Sequence, residues 1–372
     1  MTVVAEVRLW GTRIGAVHLP AGSEAAVFEY DPAFAGSGIE VAPLTMPLSR
    51  RLHSFPGLPR AAFHGLPGLL ADSLPDRFGN ALIDAWLAAQ GRAPDSFSAV
   101  ERLCYTGSRG TGALEYVPAV GPDAGRSEAV EVSDLVRLAS TILDARQDLS
   151  VSFSDDRQEQ ALRHLLAVGT SAGGARAKAV IAWNPVTGEV RYGQVAAGGF
   201  ESWLLKFAAL AGNRDRGLAD PAGYGAVEYA YHLMARAAGL EMTDCRRLEE
   251  HGRRHFMTRR FDRLPGGDKV HMQSLAALAH LDFNAPGAHA YEQAFLVMRR
   301  LGLPMAQLEE QFRRMVFNVL ARNQDDHVKN LAFLMDRRGR WRLAPAFDLT
   351  YAFNPRGDRK STRLNSSHGK LS

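Results

Sequence analysis

The chain has 372 residues, of which 46% are hydrophobic and 23% charged, a composition typical of a globular protein with room for two or three domains. Its formal net charge of +4 is too small and too diffuse to indicate nucleic-acid binding by itself. Cys104 and Cys245 are too far apart for a disulfide framework, and no apolar run reaches membrane-spanning length, so we expect a cytoplasmic protein without membrane contact.

The first part of the chain predicts a small mixed domain. Alternating apolar residues over 3–30, with a glycine turn at WGTRIG, indicate short strands. The segment 66–90 has helical spacing interrupted by proline and glycine. The stretch 119–134 is rich in glycine, proline and acidic residues and is the best candidate for a domain boundary.

Beyond this boundary the pattern changes to a mixture of helices and strands, without an internal repeat. In chain order we predict a helix at 155–168, a glycine-rich turn at 169–175, strands at 177–184 and 201–207, a helix at 224–240, a strand at 255–264, helices at 271–282, 288–301 and 305–321, and strands at LAFLM and WRLAP.

The segment 358–372 differs in kind from the rest. It holds two of the six lysines and four serines, and it has little to pack in a core. Its start, DRKSTRLNSSH, resembles a translated sequencing adapter. We therefore expect a native chain that is truncated near Gly357, with a genuine disordered polar tail as the alternative.

The stretch ARNQDDHVKN, 321–330, concentrates carboxylates, amides and a lysine in one predicted loop. Asp325 and Asn330 have the spacing with which protein-kinase catalytic loops place a catalytic carboxylate and a magnesium ligand. Taken alone, the stretch is explained about as well by a solvated turn with helix caps.

Asp348, in APAFDLTYAF, follows a strand-like run and has apolar neighbours. A carboxylate in such a place needs a partner, and together with Asn330 it would complete a magnesium site. An N-cap or a salt-bridged core aspartate is the alternative. The order Asp, Asn, strand, Asp is that of a kinase catalytic loop followed by its metal-binding aspartate.

Lys206, in WLLKF, is informative because the chain has only six lysines against 38 arginines. On a strand it shares a face with Leu204, away from the neighbouring aromatic residues. It would contact nucleotide phosphates, with Glu228 of the next helix as its partner. Snorkelling from an edge strand is the alternative.

The glycine-rich stretch GTSAGGARAKA, 169–179, would let backbone N–H groups approach a phosphate. Its candidate nucleotide contacts are Ser171, Gly173, Gly174 and Lys178. The stretch is not a Walker A motif, and an ordinary hairpin explains it equally well.

His327 and Lys329 lie beside the proposed catalytic pair. We expect His327 to be a structural hydrogen-bonding residue rather than a base, and Lys329 to neutralise charge in a transition state. Asp326 is expected to face solvent.

In chain order, GTSAGGARAKA, WLLKF, RRFDR, NQDDHVKN and FDLTYAF resemble motifs of the HipA-like serine/threonine kinases of bacterial type II toxin–antitoxin systems. FHGLPGLLADSLPDRFGN resembles the N-terminal region of that family. The resemblance implies an α+β protein with a two-lobed kinase fold, related to lipid-kinase-like kinases, preceded by a small N-terminal mixed domain. The implied organisation is an N-terminal domain at 1–125, a small lobe at 135–262, a truncated large lobe at 263–357 and the adapter-like tail at 358–372.

The resemblance also implies roles for particular residues. Asp325 would be the catalytic base, and Asn330 and Asp348 the ligands of Mg²⁺. Lys206 would hold the phosphates of ATP. Ser171 would be autophosphorylated, which ejects its loop and silences the kinase.

The adenine would lie against the segment 257–261, with contacts from Arg259 and Phe261. Arg259 stands where the family has glutamate, so the side-chain role of that glutamate does not carry over and only the backbone remains a candidate. The C-terminal helices that follow the Asp348 region in the family have no counterpart beyond about residue 357.

The function implied by the resemblance is that of an ATP- and magnesium-dependent serine/threonine protein kinase that inhibits growth. Its substrate would be a translation component such as an aminoacyl-tRNA synthetase. Its partner would be a HipB-like helix-turn-helix antitoxin, which would link it to DNA only indirectly. Two alternatives stay open: a small-molecule phosphotransferase, and a catalytically inactive corepressor that binds an antitoxin.

Overall fold

The computed structural model describes residues 3–121, 128–145, 176–192, 198–208, 214–215, 218–219, 223–285 and 287–352. Within these ranges, helices and antiparallel sheets are combined, which confirms the predicted α+β class. None of the helices in the described ranges is long and apolar enough to cross a lipid bilayer.

The chain begins with a four-stranded antiparallel sheet. Trp10 and Gly11 have φ values of 51° and 79°, the left-handed backbone of a tight hairpin turn between its first two strands. The strands are β1 (Val4–Leu9), β2 (Thr12–His18), β3 (Val27–Tyr30) and β4 (Leu114–Val117), in the spatial order β3-β2-β1-β4. The helices of this part are α1 (Pro32–Ala35), α2 (Arg60–Phe63), α3 (Gly68–Ala71), α4 (Arg77–Ala89) and α5 (Ala99–Thr106), with a 3₁₀ turn at Pro94–Ser96.

A six-stranded antiparallel sheet forms the middle of the protein. Its strands are β5 (Glu128–Ala129), β6 (Lys178–Trp183), β7 (Val190–Tyr192), β8 (Glu201–Lys206), β11 (Cys245–Glu250) and β12 (Arg253–Arg259), in the spatial order β11-β12-β8-β6-β7-β5. The associated helices are α6 (Val132–Ala145) and α7 (Tyr224–Ala237), and β9 (Arg214–Asp215) pairs with β10 (Leu218–Ala219) in a separate ribbon.

The last part described is built on a three-stranded sheet in which every residue of the central strand is buried. Its strands are β13 (His271–Ser274), β14 (Ala332–Met335) and β15 (Trp341–Leu343), and its helices are α8 (Leu275–Ala279), α9 (Tyr291–Arg300) and α10 (Met305–Leu320).

Most of the predicted elements are confirmed, but the helix predicted at 271–282 is wrong over its first turn. Residues His271–Ser274 form β13, because their backbone pairs with β14 and helix α8 starts only at Leu275. Ser274 caps that helix by accepting a hydrogen bond from the Ala277 N–H at 3.1 Å. The helix predicted at 155–168 lies outside the described residues.

Helix α4 packs against the six-stranded sheet, although it lies in the N-terminal part of the chain. Phe78, Leu82 and Leu87 of α4 belong to the same buried cluster as Ile181 of β6 and Leu205 of β8. The N-terminal part therefore contributes to the core beneath the six-stranded sheet.

Candidate functional site

Lys206 lies on a central strand, which excludes the edge-strand alternative. Strand β8 pairs with β12 on one side and β6 on the other. Trp203 and Leu205 point into the core beneath the sheet, whereas Lys206 emerges on the opposite face, as the alternation predicts. Its ammonium contacts one oxygen of Glu228 and one oxygen of Asp348, each at 2.5 Å.

Glu228 is the helix partner predicted for Lys206. It lies on α7 and is 2% exposed. Its second oxygen is 3.6 Å from the guanidinium of Arg176, which in turn stacks over the ring of Tyr224. Burial raises the pKa of the Glu228 carboxyl above its ordinary value despite the nearby Lys206 ammonium.

Asp348 joins this cluster from the far end of the chain. Its φ is 56°, a left-handed conformation that aspartate tolerates better than most residues and that is frequent at functional sites. Burial acts to raise the pKa of its carboxyl, but the Lys206 ammonium outweighs burial and holds this pKa at about 2. The same two carboxylates raise the pKa of Lys206 against the effect of burial, so the lysine is charged at neutral pH.

The polar loop 323–330 is organised by its own hydrogen bonds. The carbonyl of Asp325 accepts from the His327 N–H and from the Asn330 side-chain amide, both at 2.9 Å. The Asn330 N–H donates to the His327 carbonyl at 2.7 Å. These bonds give the loop a defined backbone conformation between Asp325 and Asn330.

The expectation that Asp326 faces solvent is wrong. Its Oδ2 accepts hydrogen bonds from the Tyr291 hydroxyl and from the Asn318 amide, the latter at 3.4 Å. Asn323 donates to the Asn318 oxygen at 3.0 Å and extends this network. Because these partners lie on α9, on α10 and at the start of the loop, Asp326 anchors the loop to these two helices.

His327 and Lys329 both lie near Phe283. The His327 ring is 6.3 Å from the Phe283 ring, and the Lys329 ammonium lies 4.1 Å from its centre in a cation–π contact. His327 lines one cavity together with Phe347 and Leu349, the residues on either side of Asp348, and it is among the groups that lower the pKa of the Asp348 carboxyl. The roles predicted for these two side chains stay predictions.

Lys178, predicted as a nucleotide contact, faces a carboxylate of the N-terminal part. Its ammonium lies 2.8 Å from Asp76, and the two side chains are 2% and 6% exposed. Its place beside the cluster is clear from the β6–β8 register, where Lys178 is directly opposite Lys206. Lys178 is thus adjacent to the site, with its charge balanced by Asp76.

Arg259 and Phe261 occupy different surroundings at the end of β12. The Arg259 guanidinium lies 3.2 Å from Glu201. The backbone N–H of Arg259 donates to the Asp244 carbonyl, and the backbone carbonyl of Arg259 accepts from the Thr243 hydroxyl. Both backbone groups of Arg259 are therefore engaged within the protein.

Phe261 packs against Phe347, the residue before Asp348, with ring centres 5.5 Å apart. This contact joins the segment that follows β12 to the segment that carries Asp348. The adenine-binding roles of Arg259 and Phe261 stay predictions, as does the role of the glycine-rich loop, because Ser171, Gly173 and Gly174 lie outside the described residues.

The donor set fits magnesium and phosphate. The Asn330 amide nitrogen is turned to the Asp325 carbonyl, which leaves the amide oxygen on the other side, and the Asp348 side chain is 35% exposed. Carboxylate and amide oxygens are the ligands that Mg²⁺ prefers, and an ammonium suits phosphate oxygens. Asn330 and Asp348 would hold the ion, and Lys206 the phosphates.

Two carboxylates that sequence reasoning missed connect the N-terminal part to the site. Asp76 stands in SLPDRFGN, where the only sequence signal is that of a helix cap. Asp262, in RRFDR, is bound by the guanidinium groups of Arg260 and Arg263 at 2.6 and 2.8 Å and by the Gly112 N–H at 2.7 Å. Burial acts to raise the pKa of Asp262, but the two arginines outweigh it and lower this pKa below its ordinary range.

Comparison with known proteins finds two family models that match successive parts of the chain. Residues 5–117 match the family model of the HipA N-terminal domain, and residues 170–371 match that of the HipA-like C-terminal domain. The chain is 26% identical over 125 residues to "Putative kinase Y4mE" of Sinorhizobium fredii (strain NBRC 101917 / NGR234), a match that covers 31% of this chain and only 30% of that protein.

Among solved structures, the chain superposes on a chain of the Shewanella oneidensis MR-1 toxin–antitoxin complex of HipA, HipB and operator DNA. The TM-score is 0.62 at 17% sequence identity, and the match covers 93% of this chain and 76% of that one. The protein thus has the fold of that chain of the complex. The two family models together span most of the sequence. The chain belongs to the HipA family, with a HipA N-terminal domain followed by a HipA-like C-terminal domain.

Proposed function

We propose that this protein is an ATP- and magnesium-dependent serine/threonine protein kinase that acts as the growth-inhibiting toxin of a toxin–antitoxin pair. The observation that supports this most strongly is the contact of Lys206 with both Glu228 and Asp348 at 2.5 Å. Protein kinases use such a lysine–glutamate pair to align nucleotide phosphates and an aspartate to hold the metal ion.

The catalytic loop supplies the remaining groups. Asp325 orients the attacking hydroxyl and takes its proton, while Asn330 and Asp348 direct oxygen ligands toward the phosphates. Lys329, which lies within the loop, neutralises negative charge that develops during transfer. When bound, magnesium and ATP supply the transferable phosphoryl group and the charge neutralisation that transfer requires.

The proposed partner is a HipB-like helix-turn-helix antitoxin. The structural neighbour from Shewanella oneidensis is a chain of a complex with HipB and operator DNA, and it supports this assignment. Contact with DNA would then be made through the antitoxin, in agreement with the formal net charge of only +4. We propose a translation component, such as an aminoacyl-tRNA synthetase, as the substrate class.

Incubation of the purified chain with labelled ATP and magnesium, followed by mapping of phosphorylated residues, tests the proposed chemistry. We expect label on Ser171 by autophosphorylation. Absence of label on any protein, together with ATP-dependent phosphorylation of a sugar or an aminoglycoside, would replace the protein kinase by a small-molecule phosphotransferase.

Growth of bacteria that express the chain tests its action as a toxin. We expect growth arrest that is relieved by co-expression of the cognate antitoxin and lost in Asp348→Ala. If Asp348→Ala still arrests growth at the same protein level, inhibition does not depend on catalysis, and the inactive corepressor becomes the better explanation.

A further inference from the structure

The buried face of helix α10 carries two amides among its apolar side chains. That face is formed by residues at helical spacing, namely Leu308, Gln311, Met315 and Asn318. Gln311 and Asn318 are only 3% and 8% exposed. Because an amide that leaves water without a hydrogen bond destabilises a protein, each of these two side chains needs a partner inside the fold.

Asn318 has its partners, and they fix the direction of a neighbouring amide. Its Nδ2 donates to the Tyr291 hydroxyl at 3.1 Å and to Asp326 Oδ2 at 3.4 Å. The Asn318 oxygen therefore faces Asn323, and it accepts from Asn323 Nδ2 at 3.0 Å. This order of donors and acceptors turns Oδ1 of Asn323 to the other side of its amide group.

Two buried amide oxygens then have no hydrogen-bond donor within the part of the chain that the structure describes. They are Oε1 of Gln311 and Oδ1 of Asn323, and both residues are 3% exposed. A buried side-chain oxygen without a donor is uncommon in native proteins and calls for a specific explanation.

Both residues line the small cavity, of about 40 Å³, that His327 and Phe347 also line. A buried water molecule needs roughly 10–15 Å³ of such space and roughly two to four polar partners, so the cavity has room for about two or three waters. A cavity with purely apolar walls stays dry, but amide oxygens on its wall accept hydrogen bonds from water.

We propose that this cavity is a binding site for ordered water, which donates hydrogen bonds to Gln311 Oε1 and Asn323 Oδ1 and so ties the start of the loop 323–330 to helix α10. Water suits this place because each molecule can donate two hydrogen bonds and bridge two acceptors. The loop is then held to α10 twice, by the contact of Asp326 with Asn318 and by water. The inference goes beyond the proposed function, since it concerns the support of the loop and not its chemistry.

Gln311→Met gives opposite results in a hydrated and a dry cavity, because methionine has about the length of glutamine but no amide. If water occupies the cavity, the change removes one of its partners, and the midpoint of thermal unfolding should fall by roughly 1–3 °C. In a dry cavity the change removes an unpaired buried amide, and the midpoint should rise. An unchanged or raised midpoint therefore overturns the inference.

The matched control is Gln307→Met on the same helix. The Gln307 oxygen accepts directly from the Leu343 N–H at 2.6 Å, so this change removes a known hydrogen bond. Its midpoint should fall by an amount similar to that of Gln311→Met.

A crystal structure of the wild type tests the site without any variant. We expect electron density for water at about 2.7–3.2 Å from both amide oxygens. A cavity without such density, or a direct hydrogen bond between the two amides, overturns the inference.

Thermal unfolding of the wild type in potassium, sodium and choline chloride at equal ionic strength separates water from a metal ion. We expect equal midpoints in the three salts. A higher midpoint in one alkali cation alone would overturn the inference and assign the cavity to that cation. None of these measurements involves ATP, so failure of the proposed kinase activity and failure of the water site are distinguishable.

Discussion

Replacement of Lys206 by methionine should destabilise the protein in a pH-dependent way. Two contacts at 2.5 Å amount to roughly 13 kcal/mol of gross attraction at an effective dielectric constant of about 20. Most of this is offset by the cost of removing Lys206 itself from water. Loss of one partner of a buried ion pair leaves a net destabilisation of about 3–5 kcal/mol at pH 8.

The pH dependence follows from Glu228, which is buried and has a raised pKa in the folded protein. Without Lys206, the pKa of Glu228 in the folded protein rises further. A carboxyl with a raised folded-state pKa stabilises the protein fully at pH values below its unfolded-state pKa of about 4.3, and this stabilisation is lost as the pH rises through the folded-state pKa. The free-energy difference between Lys206→Met and the wild type should therefore be smaller at pH 5 than at pH 8.

Urea denaturation of both proteins at the two pH values measures this difference. Lys269→Met is a matched control, because Lys269 is also buried but contacts a single, partly exposed carboxylate, that of Glu115 at 2.7 Å. We expect a loss of about 1.5–3 kcal/mol for the control, the range for a hydrogen bond to a charged group. The role given to Lys206 would be contradicted if Lys206→Met lost no more free energy of unfolding than the control at pH 8. It would also be contradicted if this loss were larger at pH 5 than at pH 8.

Two further changes probe the contacts that hold the domains and the loop. Asp262→Asn leaves two buried arginines without their carboxylate and weakens the contact to Gly112, so urea denaturation should record a loss of about 3 kcal/mol in the free energy of unfolding. The control Asp268→Asn changes a carboxylate in an exposed ion pair and should lose under about 1 kcal/mol. Equal losses in the two variants would contradict the role given to Asp262. Tyr291→Phe removes a hydroxyl that donates to Asp326 and should lower the free energy of unfolding by about 1.5 kcal/mol. Amide hydrogen exchange in loop 323–330 should become faster. Unchanged exchange would contradict the anchoring role of Asp326.

The parts of the site that depend on local pattern could be predicted from the sequence. Strand alternation around WLLKF placed Lys206 on the face opposite the core, and the single acidic residue in the apolar helix that follows pointed to Glu228. The spacing of Asp325 and Asn330 identified a segment that the structure orders through hydrogen bonds to the Asp325 and His327 carbonyls.

The parts that depend on distant partners could not. Asp326 was expected to face solvent because its partners Tyr291 and Asn318 lie on two other helices, and no local pattern connects them to the loop. The partner of Lys178 was missed for the same reason, since Asp76 belongs to another domain and its sequence signal is only that of a helix cap.

Secondary structure was wrong where tertiary pairing overrides propensity. The segment 271–282 was predicted as one helix, yet its first four residues, His271–Ser274, form a strand because their backbone pairs with β14. Their buried polar residues, His271 and Gln273, contact each other at 3.0 Å, a partnership that the strand geometry makes possible.

The proposed role of Asp325 in phosphoryl transfer has a direct test in the rate of phosphate incorporation from labelled ATP, compared between two neighbouring variants. Asp325→Asn and Asp326→Asn make the same chemical change one residue apart, so general effects on the loop are shared. We expect Asp325→Asn to lower the rate roughly 100-fold or more, as loss of a general base does. Asp326→Asn should lose stability but keep most of its rate per folded molecule. Equal rates of phosphate incorporation in Asp325→Asn and the wild type would contradict a role of Asp325 in phosphoryl transfer.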